Sequence, residues 1–159
     1  MKTRLLVATI CAIALSATLS LTAADKEEKD PLAGIKCPVS GKAIKAASFV
    51  KFNGGKVYFC CDNCPKAFAK NTAKFTAKAN QQLYATKQAK LVKCPIKGKK
   101  INEATTIEVA GTKVAFCCNG CKGKVTKATG AAQLELVFGA KAFAKGFKVA
   151  AADKKNSKK

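Results

Sequence analysis

Residues 57–64 read VYFCCDNC and residues 114–121 read VAFCCNGC, so one cysteine cluster occurs twice in this chain. A shorter motif precedes each cluster, because residues 36–42 read KCPVSGK and residues 93–99 read KCPIKGK. Both pairs are separated by the same offset of 57 residues. Self-similarity at a constant offset is the signature of a duplicated structural unit. The sequence therefore predicts two tandem copies of one small module.

The segments between the paired motifs predict a β-hairpin in each copy. In the first copy, residues 47–52 and 56–59 are rich in aromatic and β-branched side chains and flank Asn53-Gly54-Gly55. In the second copy, residues 105–110 and 112–116 flank a single glycine. Short apolar strands around a glycine-containing loop are typical of hairpins. Each hairpin is expected to carry the cysteine cluster back beside the first cysteine turn.

A helix is expected after each cluster. Asp62 or Asn63 can cap a helix whose first turn contains Pro65. The alanine-rich stretches 76–89 and 131–145 are also predicted to be helical. The predicted fold class is therefore α+β, with each module formed by a cysteine turn, a hairpin, a cysteine cluster and a helix.

Cysteine is the residue type that carries the predicted chemistry. The chain has nine cysteines and no histidine, so a metal ion can be held only by sulfur or oxygen. Four thiolates close a tetrahedral zinc site, and fewer can hold the soft ion copper(I). We expect one Zn²⁺ or Cu⁺ ion per module and rank an iron–sulfur cluster third. The predicted ligands are Cys37, Cys60, Cys61, Cys64, Cys94, Cys117, Cys118 and Cys121.

Two alternatives to a metal site stay open. A disulfide framework is one, because an even number of cysteines in an exported protein commonly forms bridges. Neighbouring cysteines make an awkward scaffold, however, and crowd sulfur naturally around an ion. A thiol oxidoreductase is the other, since Cys61 and Cys64 have redox spacing. No acid–base pair accompanies them, so the sequence predicts a protein that is not an enzyme.

The amino terminus predicts export. Lys2 and Arg4 precede an uncharged apolar run over residues 5–21, and small residues follow up to Ala24. This pattern is typical of a signal peptide cleaved after Ala24, and Cys11 would leave with it. A retained membrane anchor is the alternative, which the shortness of the run disfavours. The expected protein is periplasmic or secreted, with no transmembrane segment after cleavage.

The predicted organisation has five parts. They are a signal peptide over 1–24, a charged linker over 25–34, the first four-cysteine module over 35–90, the second over 91–150, and a basic tail over 151–159.

Lysine dominates the charge of the chain. Lysine and arginine number 30 against nine acidic residues, which gives a formal net charge of +21. Such a balance favours anionic surfaces, and an anionic component of the cell envelope is a candidate partner beside metal ions. Nucleic-acid binding is not favoured, because export argues against it and no aromatic-basic motif of the usual kinds is present. The oligomeric state is not predictable from these features.

The cysteine pattern resembles the TRASH domain and the related YHS domain. The likeness covers about residues 35–75 and 92–128 and rests on the CPVSG motif and the spacing of the cysteines that follow. It implies a treble-clef-like zinc-finger fold and the binding or sensing of heavy metals, usually copper or zinc. The family's cysteine triad would fall on Cys37, Cys60 and Cys64, and again on Cys94, Cys117 and Cys121.

The chain departs from the family pattern at one position of the first motif. YHS domains usually read Asp-Pro-Val-Cys-Gly, whereas Ser40 and Lys97 occupy the place of that cysteine here. Cys61 and Cys118 then become the candidates for a fourth sulfur. Without them, each site has three thiolates and an open position, which suits copper(I) or transient metal transfer better than a structural ion.

The sequence as a whole predicts an exported, non-enzymatic protein with two all-cysteine metal sites that handles or senses a heavy metal. The alternative is a structural or interaction protein whose modules are held by disulfides or structural zinc and whose basic surface binds an anionic envelope component.

Overall fold

The computed structural model describes residues 32–150. The predicted signal peptide, most of the charged linker and the basic tail lie outside the described residues. Within the described range the elements follow in the order β1 Lys45–Phe52, β2 Gly55–Phe59, α1 Asn63–Lys70, α2 Thr72–Ala85, β3 Ala89–Leu91, β4 Asn102–Val109, β5 Thr112–Phe116, α3 Asn119–Lys127, α4 Gly130–Phe138, α5 Ala140–Gly146 and β6 Phe147–Val149. No helix over residues 32–150 is both long and apolar enough to cross a membrane.

The first hairpin pairs β1 with β2 in antiparallel register. Val50 lies opposite Val57 and Phe52 opposite Gly55, and the side chains of Val50, Phe52 and Val57 belong to or pack against the hydrophobic core. Asn53 and Gly54 connect the strands with φ values of 47° and 84°. Two consecutive residues with positive φ make the type of turn whose twist suits a two-residue hairpin loop. The predicted hairpin is confirmed, with strands that begin slightly earlier than expected.

The second hairpin follows the same scheme. Strand β4 pairs with β5 in antiparallel register, with Ile107 opposite Val114 and Val109 opposite Thr112. Both hairpins contain a register irregularity, at 45–49 in β1 and at 102–107 in β4. Extra residues of this kind interrupt the ladder and bend a strand locally.

The alanine-rich stretch after the second cluster is not one helix. The predicted helical character of 131–145 is confirmed, but as two helices, because α4 ends at Phe138 and α5 begins at Ala140. Gly139 has an extended ψ of 157° and breaks the helix between them. A Cβ at this position would collide with the backbone and side chain of Glu135, so only glycine fits here. The other predicted helical stretch, 76–89, ends early, because α2 stops at Ala85 and Ala89 already begins β3.

The two cysteine-bearing segments are joined by a small sheet that the sequence analysis missed. Strand β3 pairs antiparallel with β6, and Ala89 lies opposite Val149. Aromatic contacts continue the junction, since the ring centroid of Tyr84 lies 5.0 Å from that of Phe147. Buried side chains from both segments form a single hydrophobic cluster that includes Phe59, Phe116 and Phe138.

Side-chain amides from α2 and from the loop that follows it satisfy the open edge of β2. Gln82 accepts a hydrogen bond from the Tyr58 N–H at 2.6 Å and donates to the Tyr58 carbonyl at 3.0 Å. Gln88 bonds the N–H and carbonyl of Lys56 in the same way, at 2.7 and 2.8 Å. An unpaired strand edge would otherwise leave backbone groups without partners. These contacts fix β2, and therefore the cluster that follows it, against the helical layer.

The described architecture combines helices with small antiparallel sheets, which agrees with the predicted α+β class.

Candidate metal centres

The first ligand of each centre lies in a tight hydrogen-bonded turn. The N–H of Cys37 donates to the carbonyl of Lys42, and its carbonyl accepts from the N–H of Gly41, both at 2.8 Å. Gly41 has a φ of 73°, which the turn requires and which glycine adopts without strain. This turn buries the Cys37 side chain, which is 2% exposed, and aims it into the protein.

The other ligands of the first centre come from the end of the hairpin and the start of α1. Cys60 directly follows β2, and Cys64 is the second residue of α1. The Sγ atoms of Cys60 and Cys64 are 3.6 Å apart. All three sulfurs of Cys37, Cys60 and Cys64 lie within 4.8 Å of one another, so the fold brings together cysteines that are distant in the chain.

The second centre has the same construction. Cys94 lies in a turn closed by hydrogen bonds from Cys94 N–H to the Lys99 carbonyl and from Gly98 N–H to the Cys94 carbonyl. Cys117 follows β5, and Cys121 is in the first turn of α3. The sulfurs of Cys94, Cys117 and Cys121 also lie within 4.8 Å of one another. Two cysteine triads that could each hold a metal ion are therefore present.

The sulfur spacing fits a metal–thiolate site. Sulfurs bound at about 2.3 Å lie about 3.8 Å apart around a tetrahedral ion and about 4.0 Å apart around a trigonal one. The Sγ atoms of Cys60 and Cys64 are separated by 3.6 Å and those of Cys117 and Cys121 by 3.7 Å. Small side-chain adjustments would therefore close either geometry. The eight cysteines of the described chain are all free, and no bridge competes with an ion in this state.

Cys61 and Cys118 lie beside the triads and are not part of them. The Sγ of Cys61 is 3.8 Å from that of Cys60 and 3.5 Å from that of Cys64. In the second centre, Cys118 lies 3.9 Å from Cys117, sulfur to sulfur. Both residues are partly exposed. Three of the four cysteines predicted for each site thus form a triad, and the fourth, whose sulfur we call the outer sulfur, lies beside it.

Helix amides stabilise the negative charge of these outer sulfurs. The amide of Cys64, then the thiol of Cys64, then the amide of Asn63 lower the pKa of Cys61 through hydrogen bonds. Asp62 occupies the N-cap position of α1 without a side-chain capping bond, so the expected carboxylate cap is not formed. The sulfur of Cys61 accepts from the first-turn amides instead, where the helix dipole favours an anion.

The triads themselves hold thiols of contrasting acidity. Burial acts to raise the pKa of Cys37, but hydrogen bonds from Ser40 and from the amides of Cys60 and Val39 outweigh it and lower the pKa to about 7. Burial, followed by hydrogen bonds with neighbouring thiols, raises the pKa of Cys64 to about 12. One sulfur is therefore ready to ligate at neutral pH, and a metal must displace protons from its neighbours.

The second triad shows the same contrast. Burial opposes the ionisation of Cys94, yet the amides of Lys97, Cys117 and Ile96 together lower its pKa. Burial, then a hydrogen bond with Cys94, raises the pKa of Cys117. Burial, then hydrogen bonds with Cys117 and Cys118, raises the pKa of Cys121 to about 12.

Ser40 is a functional neighbour that the sequence analysis treated only as a departure from a family pattern. Its hydroxyl lies 3.1 Å from the sulfur of Cys60. A hydroxyl at this distance can donate to a metal-bound thiolate and tune its basicity. The second centre has the exposed Lys97 at this position, so the two centres differ outside their triads. The place of Ser40 in the cysteine turn was the available sequence signal.

Cys118 is expected to be a highly reactive thiol in the reduced, metal-free protein. The amide and thiol of Cys121, then the thiol of Cys117, lower the pKa of Cys118 from an ordinary value of 9.0 to about 7. Because the thiolate is the nucleophile, its alkylation rate should rise through pH 7 and level off above it. Peptide mass spectrometry after timed iodoacetamide labelling measures this profile.

The buried Cys121 provides the internal control, because its thiol should stay protonated and slow across the same pH range. The unfolded chain provides a second control, in which the Cys118 profile should shift toward 9. A Cys118 profile that is the same in folded and unfolded protein would contradict stabilisation by the helix amides.

No family model, curated protein or solved structure matches this chain.

Proposed function

We propose that this chain is an exported, non-enzymatic protein that binds a soft metal ion at each of two cysteine triads. The convergence of Cys37, Cys60 and Cys64 within 4.8 Å, repeated at Cys94, Cys117 and Cys121, is the observation that carries the proposal. Thiolates select soft or borderline ions. The chain contains no histidine, so no imidazole nitrogen can ligate an ion. Copper(I) and zinc are the candidate ions, with one ion per centre.

The shape of each centre favours an exchangeable ion over a permanently enclosed one. One ligand of each triad, Cys60 or Cys117, is partly exposed, as is the neighbouring Cys61 or Cys118. Three thiolates satisfy copper(I), whereas zinc would recruit Cys61 or Cys118 to complete a tetrahedron. An incoming or leaving ion can be held briefly by the outer sulfur. This arrangement supports buffering, carrying or sensing of the metal.

The hydrophobic core also favours metal handling over a purely structural ion. Small zinc fingers depend on the ion to fold because they lack a sufficient core. Here Phe59, Phe116, Phe138 and their buried neighbours form a cluster shared by both cysteine-bearing segments. The apolar interior therefore extends beyond the metal sites. An ion can leave its site without removing this interior.

The proposal extends to the family of the chain, to the fold of each module and to export. The CPVSG turn, the hairpin and the cysteine cluster at the start of a helix support membership of the TRASH and YHS group with a treble-clef-like module. The charged and apolar pattern of residues 1–24 supports export. The disulfide-held interaction protein remains the competing proposal, supported by the 3.5 Å separation of the Cys61 and Cys64 sulfurs.

Metal content and thiol state should be measured together. Residues 25–159, purified under a strong reductant and loaded with either zinc or copper(I), are expected to carry two ions per chain in native mass spectrometry. Eight thiols should be titratable once the ions are removed by a chelator. Protein that keeps eight reduced thiols and binds neither ion would contradict the proposal, and bridged cysteines under the same conditions would favour the interaction protein.

A further inference from the structure

The outer face of the first hairpin combines aromatic and basic side chains. We call it the hairpin face and define it by Phe49, Lys51, Lys56 and Tyr58. In the register of β1 and β2, Phe49 lies opposite Tyr58 and Lys51 opposite Lys56. These positions alternate with the buried Val57 and Phe59, so they point away from the core.

The aromatic part of the hairpin face is accessible to solvent. Phe49 is 41% exposed, and Val92 is the other large hydrophobic side chain exposed to this degree within residues 32–150. The rings of Phe49 and Tyr58 pack with centroids 5.9 Å apart. The ammonium nitrogen of Lys56 lies 4.7 Å from the centroid of the Phe49 ring. The exposed Phe49 ring is thus packed against Tyr58 and bordered by the Lys56 ammonium group on the outer face of the hairpin.

The second hairpin provides a natural comparison because it has the same strand pairing without this surface. At the positions 57 residues later, Thr106 and Ala115 replace Phe49 and Tyr58, and Glu108 replaces Lys51. Glu108 lies opposite Lys113, so this face carries no net charge from the pair. The hairpin fold therefore does not need the rings or the second lysine, and their presence on the first hairpin calls for another explanation.

We propose that the hairpin face docks on the surface of a lipid bilayer that contains anionic headgroups. Aromatic side chains with an apolar body bury favourably at the boundary between headgroups and acyl chains, while lysines attract anionic lipid. The complementary charge is large, since the whole chain has a net charge of +21. A single-stranded nucleic acid fits less well, because Lys56 already occupies one face of the Phe49 ring that a base would need.

The hairpin face lies next to the first metal centre. Tyr58 is two residues before Cys60, and the Ser48 hydroxyl beside Phe49 donates to the Cys61 carbonyl at 3.3 Å. Docking would therefore bring the centre formed by Cys37, Cys60 and Cys64 close to the membrane, and leave the second hairpin free of that contact. The docking surface itself contains no metal ligand, so it can be tested separately from the proposed metal binding.

Vesicle cosedimentation tests the proposal with residues 25–159, which include the whole described core. Reduced, metal-free protein is expected to bind vesicles of mixed phosphatidylglycerol and phosphatidylcholine, and to bind pure phosphatidylcholine weakly. The double variant Phe49→Thr, Tyr58→Ala copies the second hairpin and keeps the charge. Its partition coefficient between vesicles and buffer should fall about tenfold. Each replaced ring would account for only part of the free energy gained by fully burying an aromatic side chain.

A charge-matched pair of variants separates the hairpin face from general lysine attraction. Lys51→Ala, Lys56→Ala should lower binding at least about fivefold more than Lys127→Ala, Lys141→Ala, which removes two exposed lysines from α3 and α5. Equal losses from the two pairs, or unchanged binding of the Phe49→Thr, Tyr58→Ala variant, would overturn the proposal. So would a single-stranded oligonucleotide that displaces the protein from vesicles through a contact dependent on Phe49 and Tyr58. Because the protein is metal-free, failure here leaves the ion count of the two centres unaffected.

Discussion

Replacing Cys37 by serine is expected to remove one of two bound metal ions from each chain. Cys37 is 2% exposed and contributes the buried sulfur that arrives from the opposite end of the hairpin, whereas the remaining nearby thiol, Cys61, is partly exposed. Serine is a poor ligand for copper(I) or zinc in this setting. Native mass spectrometry of the loaded, reduced protein should count one ion in this variant and none in the Cys37→Ser, Cys94→Ser double variant.

Cys61→Ser is the matched control, because it removes a neighbouring sulfur that lies outside the triad. Copper(I) should still occupy both centres in this variant, with at most a modest loss of affinity. A sharp loss of zinc affinity would identify Cys61 as the fourth zinc ligand. Two ions bound to Cys37→Ser would contradict a centre built on this triad.

Replacing Gln82 by leucine is expected to destabilise the protein and weaken the first metal centre alone. Gln82 is 1% exposed. It bonds the N–H and carbonyl of Tyr58 and also donates to the Lys36 carbonyl at 3.1 Å. Leucine would leave three backbone groups without these partners, at about 1–3 kcal/mol for each group that stays buried. The free energy of unfolding should fall by about 3 kcal/mol, and Tm by about 10 °C.

The metal effect follows from where those bonds attach. Lys36 precedes Cys37 and Tyr58 stands two residues before Cys60, so Gln82 holds both cysteine-bearing segments against α2. Its loss should lower metal affinity at the first centre about tenfold, in the range seen when ligand-orienting contacts are removed. The equivalent position of the second half is Gly139, so that centre should keep its affinity.

Gln81→Leu is the matched control for this second prediction. The Gln81 amide makes one hydrogen bond, to the Ala110 carbonyl, from a partly exposed position on the same helix. We expect a loss of less than about 1 kcal/mol in chemical denaturation and no change at the first centre. Equal effects of the two leucine variants, or equal weakening of both centres by Gln82→Leu, would contradict the role assigned to Gln82.

The local elements were predictable because their causes are local. Asn53 and Gly54 adopt the positive φ values that a two-residue hairpin loop needs, and Gly41 permits the cysteine turn. Cysteine spacing predicted the candidate ligands, and the sulfurs of six of them converge in two triads. Each of these features is encoded within a few residues, so pattern and residue type suffice to predict it.

The junction of the two halves was not predictable in the same way. Strands β3 and β6 are three residues each, too short for a periodic pattern, and their paired residues lie 56 (Leu91 and Phe147) to 60 (Ala89 and Val149) positions apart in the chain. Asn80 looks like an ordinary polar helix residue, yet it is buried and links the Asn53 amide to the Phe138 carbonyl. Such roles depend on which distant backbone groups a side chain meets.

The chain's own pattern of cysteines, glycines and apolar residues determined that two cysteine turns would each be followed by a hairpin and a helix. The family resemblance named Cys37, Cys60 and Cys64, but only the tertiary structure decided that their sulfurs lie within 4.8 Å of one another. The physical reason is that ligands must lie within bonding distance of one ion, whatever their separation along the chain. The turn at Cys37 and the strand before Cys60 meet because both are bonded to the same buried amide of Gln82.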